Sequence, residues 1–417
     1  MVTSFVIGIY IARYLGPSRY GILNYALSFV AVISPMAGFG LKKILIRELV
    51  NQPENRNNLL GTAFAIRLLG FVFLLAILAS SLSVLSNERS TNLLILVIAA
   101  GVLFQSFEVV DYYFQSKVLS KYIAWVHLMA TILATVAKIV LMILKLQLLY
   151  FALVISGEYI VKAIGYIIIY SFQNIRIFQW RFNKAVALGL LKNGWPLLLA
   201  GFVGAVHQRI DIVLIKQLTD SESVGYYSIA VKLVGSWYIL GMIICRSLFP
   251  AIVNARNVGD SLFNYRLQLF YDLMLWISLG IAVAGFIVAD LLITFLYGQA
   301  YAPAVGVFKI YIFSLPATFL SLAGSQFLVA ENLIKLSLYR GIFSTITNVI
   351  LNLVLIPLFG IKGAAVATVI SYMSTSLFLL IAEKSRSQVV LMIRSFYLPA
   401  AIKRMIGVLS IDGVSHR

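Results

Sequence analysis

Charge is what this sequence has least of. Asp, Glu, Lys and Arg make up 12% of its 417 residues, where a soluble domain carries about 25%. That shortage excludes an ordinary water-soluble globule. Cysteine is nearly absent: Cys245 stands alone, so no intramolecular disulfide forms, and no Cys/His spacing outlines a metal site. There is no G-x-x-x-x-G-K-[ST] phosphate loop, which removes ATP hydrolysis by that route, and no HExxH, GxSxG or dinucleotide fingerprint. The three histidines, His127, His207 and His416, lack any surrounding constellation that would make one a general base. No two of the 28 glycines stand four apart, so the simplest helix-pairing motif is missing. The apolar start carries neither a basic n-region nor a small-residue cleavage site, and does not read as a cleavable signal. An enzyme is not indicated.

What the chain does have is long apolar runs. Hydrophobic residues make up 61% and the mean hydropathy is +0.96. The runs last about twenty residues, the length of a transmembrane helix, whereas outer-membrane barrels show short alternating segments. Twelve spans are predicted, at 1–14, 22–40, 59–82, 91–114, 122–144, 148–171, 188–216, 225–249, 267–296, 302–329, 338–358 and 361–382. The fold class is an all-α polytopic membrane protein. The first run, "MVTSFVIGIYIA", reaches only about 18 Å at 1.5 Å per residue, short of a ~30 Å core, so a truncated first helix is expected.

Basic residues outnumber acidic ones by 33 to 15, giving a net charge of +18. In a membrane protein the first explanation of such an excess is cytoplasmic loop bias. With the N-terminus inside, the inner loops hold Lys42, Lys43, Arg47, Arg56, Lys117, Lys121, Arg176, Arg181, Lys184, Lys192, Arg256, Arg266, Lys335 and Arg340. The outer loops hold Arg13, Arg19, Arg89, Lys145, Lys216 and Lys362. Both termini are therefore expected in the cytoplasm, with anionic lipid headgroups, not nucleic acid, as partners of the basic surface.

The longest basic, mixed stretch, "QNIRIFQWRFNKAVALGLLKNGWP" (173–196), divides the chain. It predicts a six-helix bundle over 1–172, a cytoplasmic linker over 173–192, a second six-helix bundle over 193–384 and a basic amphipathic tail over 385–417. The halves look repeated: "YLGPSRYGILNYALSFV" (14–30) lines up with "QLTDSESVGYYSIAVKLV" (217–234), and "TVAKIVLMILKL" (135–146) with "TITNVILNLVLI" (345–356). An even number of spans per repeat orients both halves alike, and transporters of this kind bind near the midplane. The tail segment 389–410, interrupted by Arg394, Pro399, Lys403 and Arg404, reads as a helix on the inner membrane surface.

Charge inside the spans is the functional signal. Arg67, Lys138, Glu158, Lys162, Arg209, Asp211 and Lys232 lie deepest. Facing lipid, each would cost about 2.5–3.5 kcal/mol, so they must face a bundle interior or a wet cavity. Five cations against two acids leave +3 for an anionic substrate. Structural alternatives stand beside each reading. Glu158 and Lys162 have the i,i+4 spacing of an intrahelical pair, Arg67 can bond carbonyls, and Lys138 can snorkel. Glu108 and Asp111 look interfacial, Asp272 and Lys309 lie nearer span ends, and Tyr112, Tyr113, Tyr226 and Tyr227 fit aromatic belts. Arg209 and Asp211, two apart on one helix, cannot neutralise each other. Asp211 is expected to pair with Lys232 or to bind H⁺ or Na⁺, the coupling candidates being Asp211 and Glu158. No other cofactor is implied.

"ARYLGPSRYG" (12–21), "GFGLKKILIREL" (38–49) and "RIDIVLIKQLTDSESVGYYSIAVKL" (209–233) resemble motifs of Wzx-type polysaccharide flippases. These belong to the MOP superfamily, with the MATE drug exporters and lipid II flippases. The resemblance covers essentially the whole chain. It implies two six-helix bundles in a V around a central cationic cavity. The implied activity is flipping of an undecaprenyl-diphosphate-linked O-antigen or capsule repeat unit across the bacterial inner membrane. Arg67, Arg209 and Lys232 are the positions that best fit the substrate-binding role it implies, Lys138 and Lys162 joining them as cavity candidates from their depth in the spans. The polysaccharide polymerase machinery is an implied partner. A cation-coupled drug exporter or a lipid II flippase remains the alternative. A glycan polymerase or ligase is disfavoured, because no outer loop is long.

Overall fold

The computed structural model describes residues 2–85, 88–173 and 177–404. All regular structure among them is helical, as a chain immersed in lipid requires: a helix satisfies its own backbone polar groups where no water can. In order these are α1 (Val2–Gly38), α2 (Leu41–Asn51), α3 (Arg56–Val84), α4 (Arg89–Val102), α5 (Val109–Ser116), α6 (Ser120–Ile143) and α7 (Leu148–Phe172). They continue as α8 (Lys184–Leu218), α9 (Ser221–Val258), α10 (Asp260–Tyr297), α11 (Ala304–Tyr311), α12 (Ser314–Ala330), α13 (Ile334–Leu377) and α14 (Glu383–Ser395).

Ten helical segments are long and apolar enough to cross a membrane, two of them 49 and 46 residues long (Thr3–Asn51 and Lys335–Leu380). A straight helix of that length would reach about 70 Å, more than twice the hydrocarbon thickness. Both are broken by a glycine with positive φ: Gly16 (φ 71°, ψ 171°), followed by Pro17, and Gly360 (φ 58°, ψ −142°). In α13 the chain doubles back. The Ser344 hydroxyl donates to the Ser371 carbonyl at 2.6 Å, and a Cβ added to Gly363 would run into the Leu355 carbonyl. Gly16 and Gly360 thus each divide one of the ten segments, and the piece before Gly16 reaches only about 20 Å at 1.5 Å per residue.

The chain forms two compact units, 1–213 and 214–417. The boundary lies inside α8, not in the 173–192 stretch. The first part of α8 belongs with unit 1 because two glycines let backbones touch: Gly194 meets the Phe39 carbonyl, and Gly40 meets the Leu198 amide. The stretch before α8 is also fixed to unit 1. Trp180 packs on Phe64 and Tyr170 (ring centroids 5.4 and 5.8 Å), the Arg181 amide donates to the Asn57 carbonyl at 3.1 Å, and the Asn183 amide donates to Thr62 Oγ1 at 2.9 Å. Arg176 falls outside the described residues.

In unit 1 the apolar face of α2 (Leu41, Ile44, Leu45, Leu49) packs with Leu59, Leu60 and Ala63 of α3 and with Val109, Val110 and Phe114 of α5. In unit 2, α9 opens on an N-cap, where the Asp220 carboxylate accepts from the Ser223 amide at 2.8 Å. Three tyrosines expected in interfacial belts are instead core. Tyr112, Tyr113 and Tyr227 are buried; the Tyr112 hydroxyl donates to Glu108 at 3.2 Å and that of Tyr227 bonds Thr368 at 3.1 Å. Helix α14 does not merely lie on a surface: it is bonded to α10. Gln268 Nε2 donates to the Leu391 carbonyl (3.0 Å) and to Ser395 Oγ (2.9 Å), Trp276 Nε1 to the Ser395 carbonyl (2.9 Å), and the Tyr271 hydroxyl to Gln388 (3.0 Å). Beyond it, Arg404 grips Asp272 through two bonds of 2.7 and 3.0 Å. Asp272, read from the sequence as lying near a span end, is completely buried.

Candidate functional site: a cation-lined cavity in the first unit

Unit 1 encloses an open cavity of about 720 Å³. Its floor is the turn between α1 and α2. Gly40 adopts the left-handed conformation (φ 64°) needed to reverse direction there, and as N-cap it supplies no side-chain acceptor to the first turn of α2. The positive end of that helix therefore opens beside the cavity together with Lys42 and Lys43, which also line it.

Arg67 reaches the cavity from α3. Its guanidinium is 5% exposed and held by three groups. Nη1 donates to the Tyr112 hydroxyl (2.8 Å); Nη2 donates to the Gln105 carbonyl (2.7 Å) and the Glu108 carboxylate (2.9 Å). Its Nε has no hydrogen-bond partner. The Tyr112 ring lies between two cations, with Arg67 at 5.7 Å and Lys42 at 5.6 Å from its centroid. Tyr159 of α7 completes the polar wall, while Pro35, Leu197 and Leu198 are apolar. Three cations against one carboxylate leave the lining at +2, so an anion gains on entering.

A second charged cluster in unit 1 lies outside the cavity lining. The i,i+4 pair forms, Lys162 Nζ to Glu158 at 2.8 Å, and Lys138 approaches the same carboxylate at 3.8 Å. Lys138 faces an acid rather than snorkelling outward. Lys162 also stacks over Tyr159 (5.7 Å), which links this cluster to the cavity wall. On α8, Asp211 is buried (5% exposed) and Arg209 is exposed; Lys232, on α9 in unit 2, is half-buried. Opposite burial for Arg209 and Asp211 is what a two-residue step on a helix produces.

Of the sequence candidates, Arg67 lines the cavity and the Lys138–Glu158–Lys162 cluster adjoins it through Tyr159. Lys42, Lys43 and Glu108 also line it, and the sequence reading placed them elsewhere, the lysines among loop charges and Glu108 at an interface. Two adjacent lysines one residue after "GFG" were the available signal.

The structure thus combines ten helical segments long and apolar enough to cross a membrane with a cavity in unit 1 lined by three cations and one carboxylate. The chain belongs to the polysaccharide biosynthesis protein family, whose pattern matches residues 10–306. Its fold is shared by solved structures that include a transporter of the MOP superfamily. An inward-facing MATE multidrug resistance transporter superposes with a TM-score of 0.71 at 14% identity, covering 96% of this chain and 95% of that one. The lipid II flippase MurJ, in an inward closed conformation, gives 0.72 at 16% identity, covering 97% and 92%. Among curated proteins, the probable flippase AglR of Haloferax volcanii is 31% identical over 170 residues. That alignment covers 39% of this chain and 35% of AglR, so the match spans about a third of that relative.

Proposed function

We propose that this protein moves a lipid-linked oligosaccharide across the bacterial inner membrane, the unit 1 cavity receiving its diphosphate and the carrier being undecaprenyl diphosphate. The observation that carries this reading is the +2 lining of Lys42, Lys43, Arg67 and Glu108 in a cavity of about 720 Å³. Family membership and the probable-flippase relative support it.

The physical task is to take a multiply charged headgroup through hydrocarbon, where an unpaired ion is prohibitively unstable. Lys42 and Lys43, exposed beside the α2 N-terminus, attract the diphosphate at the end that the charge bias assigns to the cytoplasm. Arg67, deeper and rigidly held, offers a planar donor whose Nε is unused. The glycan occupies the wet cavity and the prenyl chain stays in lipid. Lys138 and Lys162 extend the cationic path within the first unit, and Arg209 and Lys232 are further cations proposed to meet the substrate. Glu158 and Asp211 are the groups through which H⁺ or Na⁺ would couple to the cycle. Without a nucleotide-binding motif, the drive is an ion gradient, the membrane potential or removal of product outside, where the polymerising machinery is the natural partner. Both termini are cytoplasmic in this reading.

Deleting the gene in its host and analysing lipid-linked glycans tests it. Accumulation of fully assembled repeat units on the inner leaflet, relieved by the wild-type gene and not by Arg67→Met at matched membrane levels, is the expected result. Unchanged surface glycan together with increased drug sensitivity would replace this reading with a drug exporter.

A further inference from the structure

Unit 2 holds its own buried arginine, and the surroundings of Arg340 differ from those of Arg67. The loop bias places Arg340 among cytoplasmic loop cations; in the structure it lies inside α13 and is 5% exposed. It is six residues from the start of that helix, about 9 Å at 1.5 Å per residue. Nη2 donates to Ser325 Oγ at 2.6 Å and to the Ser321 carbonyl at 3.3 Å. Nη1 has no hydrogen-bond partner, and no carboxylate pairs with Arg340 among the described residues. The titratable group acting on it is the phenol Tyr271. Asp272, next to Tyr271, is already engaged by Arg404.

What covers the unpaired Nη1 is the tail. A Cβ built on Gly324 would meet the Met392 methyl at 3.1 Å and Arg340 Nη1 at 3.2 Å. The bare backbone of Gly324 thus lets Met392 of α14 and the Arg340 guanidinium both approach α12 at this slot, with Leu379 beside them. The start of α14 is tied to the preceding turn, Ser385 Oγ donating to the Leu379 carbonyl and Arg386 Nε to the Leu380 carbonyl. The rest of α14 and Arg404 beyond it are held on α10: Gln388 on Tyr271, Ser395 on Gln268 and Trp276, Arg404 on Asp272. Nothing apolar would need such a charge, and a buried cation without an acid is a functional group by default. Unit 1 supplies Glu108 to its arginine; unit 2 supplies no acid and a removable cover.

We infer that α14 is a latched lid over a second anion-binding site, built on Arg340 with Ser325, and that the site takes a phosphate or diphosphate group. The latch is the Arg404–Asp272 pair, and the lid's tip is Met392. The group can come from a lipid headgroup or from free phosphate, and only the lipid source rests on the flippase reading above. Ligand binds only the open lid, so it shifts the population toward opening.

The test uses the full chain in nanodiscs, with Cys245→Ser and Met392→Cys as background, and follows labelling by a charged maleimide. Met392 is 3% exposed, so labelling reports opening. Inorganic pyrophosphate, or undecaprenyl diphosphate added to the disc lipid, is expected to speed labelling by about tenfold at ten times its Kd. Response to the lipid alone assigns the site to a headgroup; response to pyrophosphate as well assigns it to the anion itself. Arg340→Gln should abolish the response and Arg340→Lys should keep part of it, which separates lost binding from misfolding. Arg67→Gln should leave the response intact, so a failed flippase reading would not disturb it. The paired change Arg404→Ala with Asp272→Asn, which leaves no buried acid behind, should label fast without ligand. Labelling indifferent to both probes, an unchanged response in Arg340→Gln, loss in Arg67→Gln, or slow labelling in the unlatched pair would each overturn the proposal.

Discussion

Arg67 and Glu108 touch at 2.9 Å, yet the cationic-cavity mechanism predicts that removing either one shifts anion affinity in opposite directions. Glu108→Gln keeps an amide oxygen to accept from Arg67 and takes the lining from +2 to +3. A doubly charged headgroup about 8 Å away, in a medium between protein and water, is repelled by Glu108 by roughly 1–2 kcal/mol after salt screening. Deleting that repulsion tightens binding by about 5- to 30-fold. Arg67→Met keeps volume but takes the lining to +1 and weakens binding by at least the same factor. It also strips a donor from Tyr112 and from the Gln105 carbonyl, at about 1–3 kcal/mol of stability, limited because the cavity admits water and Tyr112 still donates to Glu108 at 3.2 Å. Titrating undecaprenyl diphosphate into nanodisc-embedded protein, alongside thermal unfolding of each variant, measures both quantities. If Glu108→Gln weakens binding as Arg67→Met does, or if neither moves it, the pair is a packing element and the cavity does not act through charge.

With Cys245→Ser as background, a cysteine at Ser221 should label from outside intact cells, and one at Phe178, fully exposed (100%), should not; the reverse pattern inverts the topology. Arg404→Ala leaves Asp272 buried without its cation and should destabilise by about 3–5 kcal/mol, while adding Asp272→Asn restores most of the loss in thermal unfolding. Gly363→Ala forces a methyl against the Leu355 carbonyl and should abolish correctly folded protein in the membrane, measured by detergent size-exclusion yield; the same change at Gly157, which has open space, should be silent. Raising salt from low to molar concentration should weaken pyrophosphate binding to the exposed Lys42 and Lys43 more than the thermal stability that the buried Arg67 contacts provide.

The spans were legible because lipid imposes one rule on every segment: an apolar run of fixed length that bonds to itself. The breaks at Gly16 and Gly360 were legible as loops because glycine and a following or nearby proline leave few other readings. Arg67 was legible through the high free energy of a charge in hydrocarbon. Lys42 and Lys43 were not, because cytoplasmic loop bias explains any lysine near a span end and asks nothing further of it. Tyr112 and Glu108 were hidden for a related reason, since aromatic and acidic residues at a span end fit the interface equally well. Arg340 was taken for a loop charge because burial depends on α12 and α14, neither of which is readable from its neighbours. The Asp272–Arg404 pair joins positions 132 apart, and no local pattern carries a partner over that distance.

The most direct test of the central claim is transbilayer movement itself. Purified protein in liposomes, with a polyprenyl-diphosphate-linked oligosaccharide loaded in one leaflet and no nucleotide, should deliver the glycan to a lectin confined to the other side. Arg67→Met should deliver it far more slowly at equal incorporation. Wild-type protein that fails to move the lipid-linked glycan under an imposed H⁺ or Na⁺ gradient, yet exports an aromatic cation, would contradict the account.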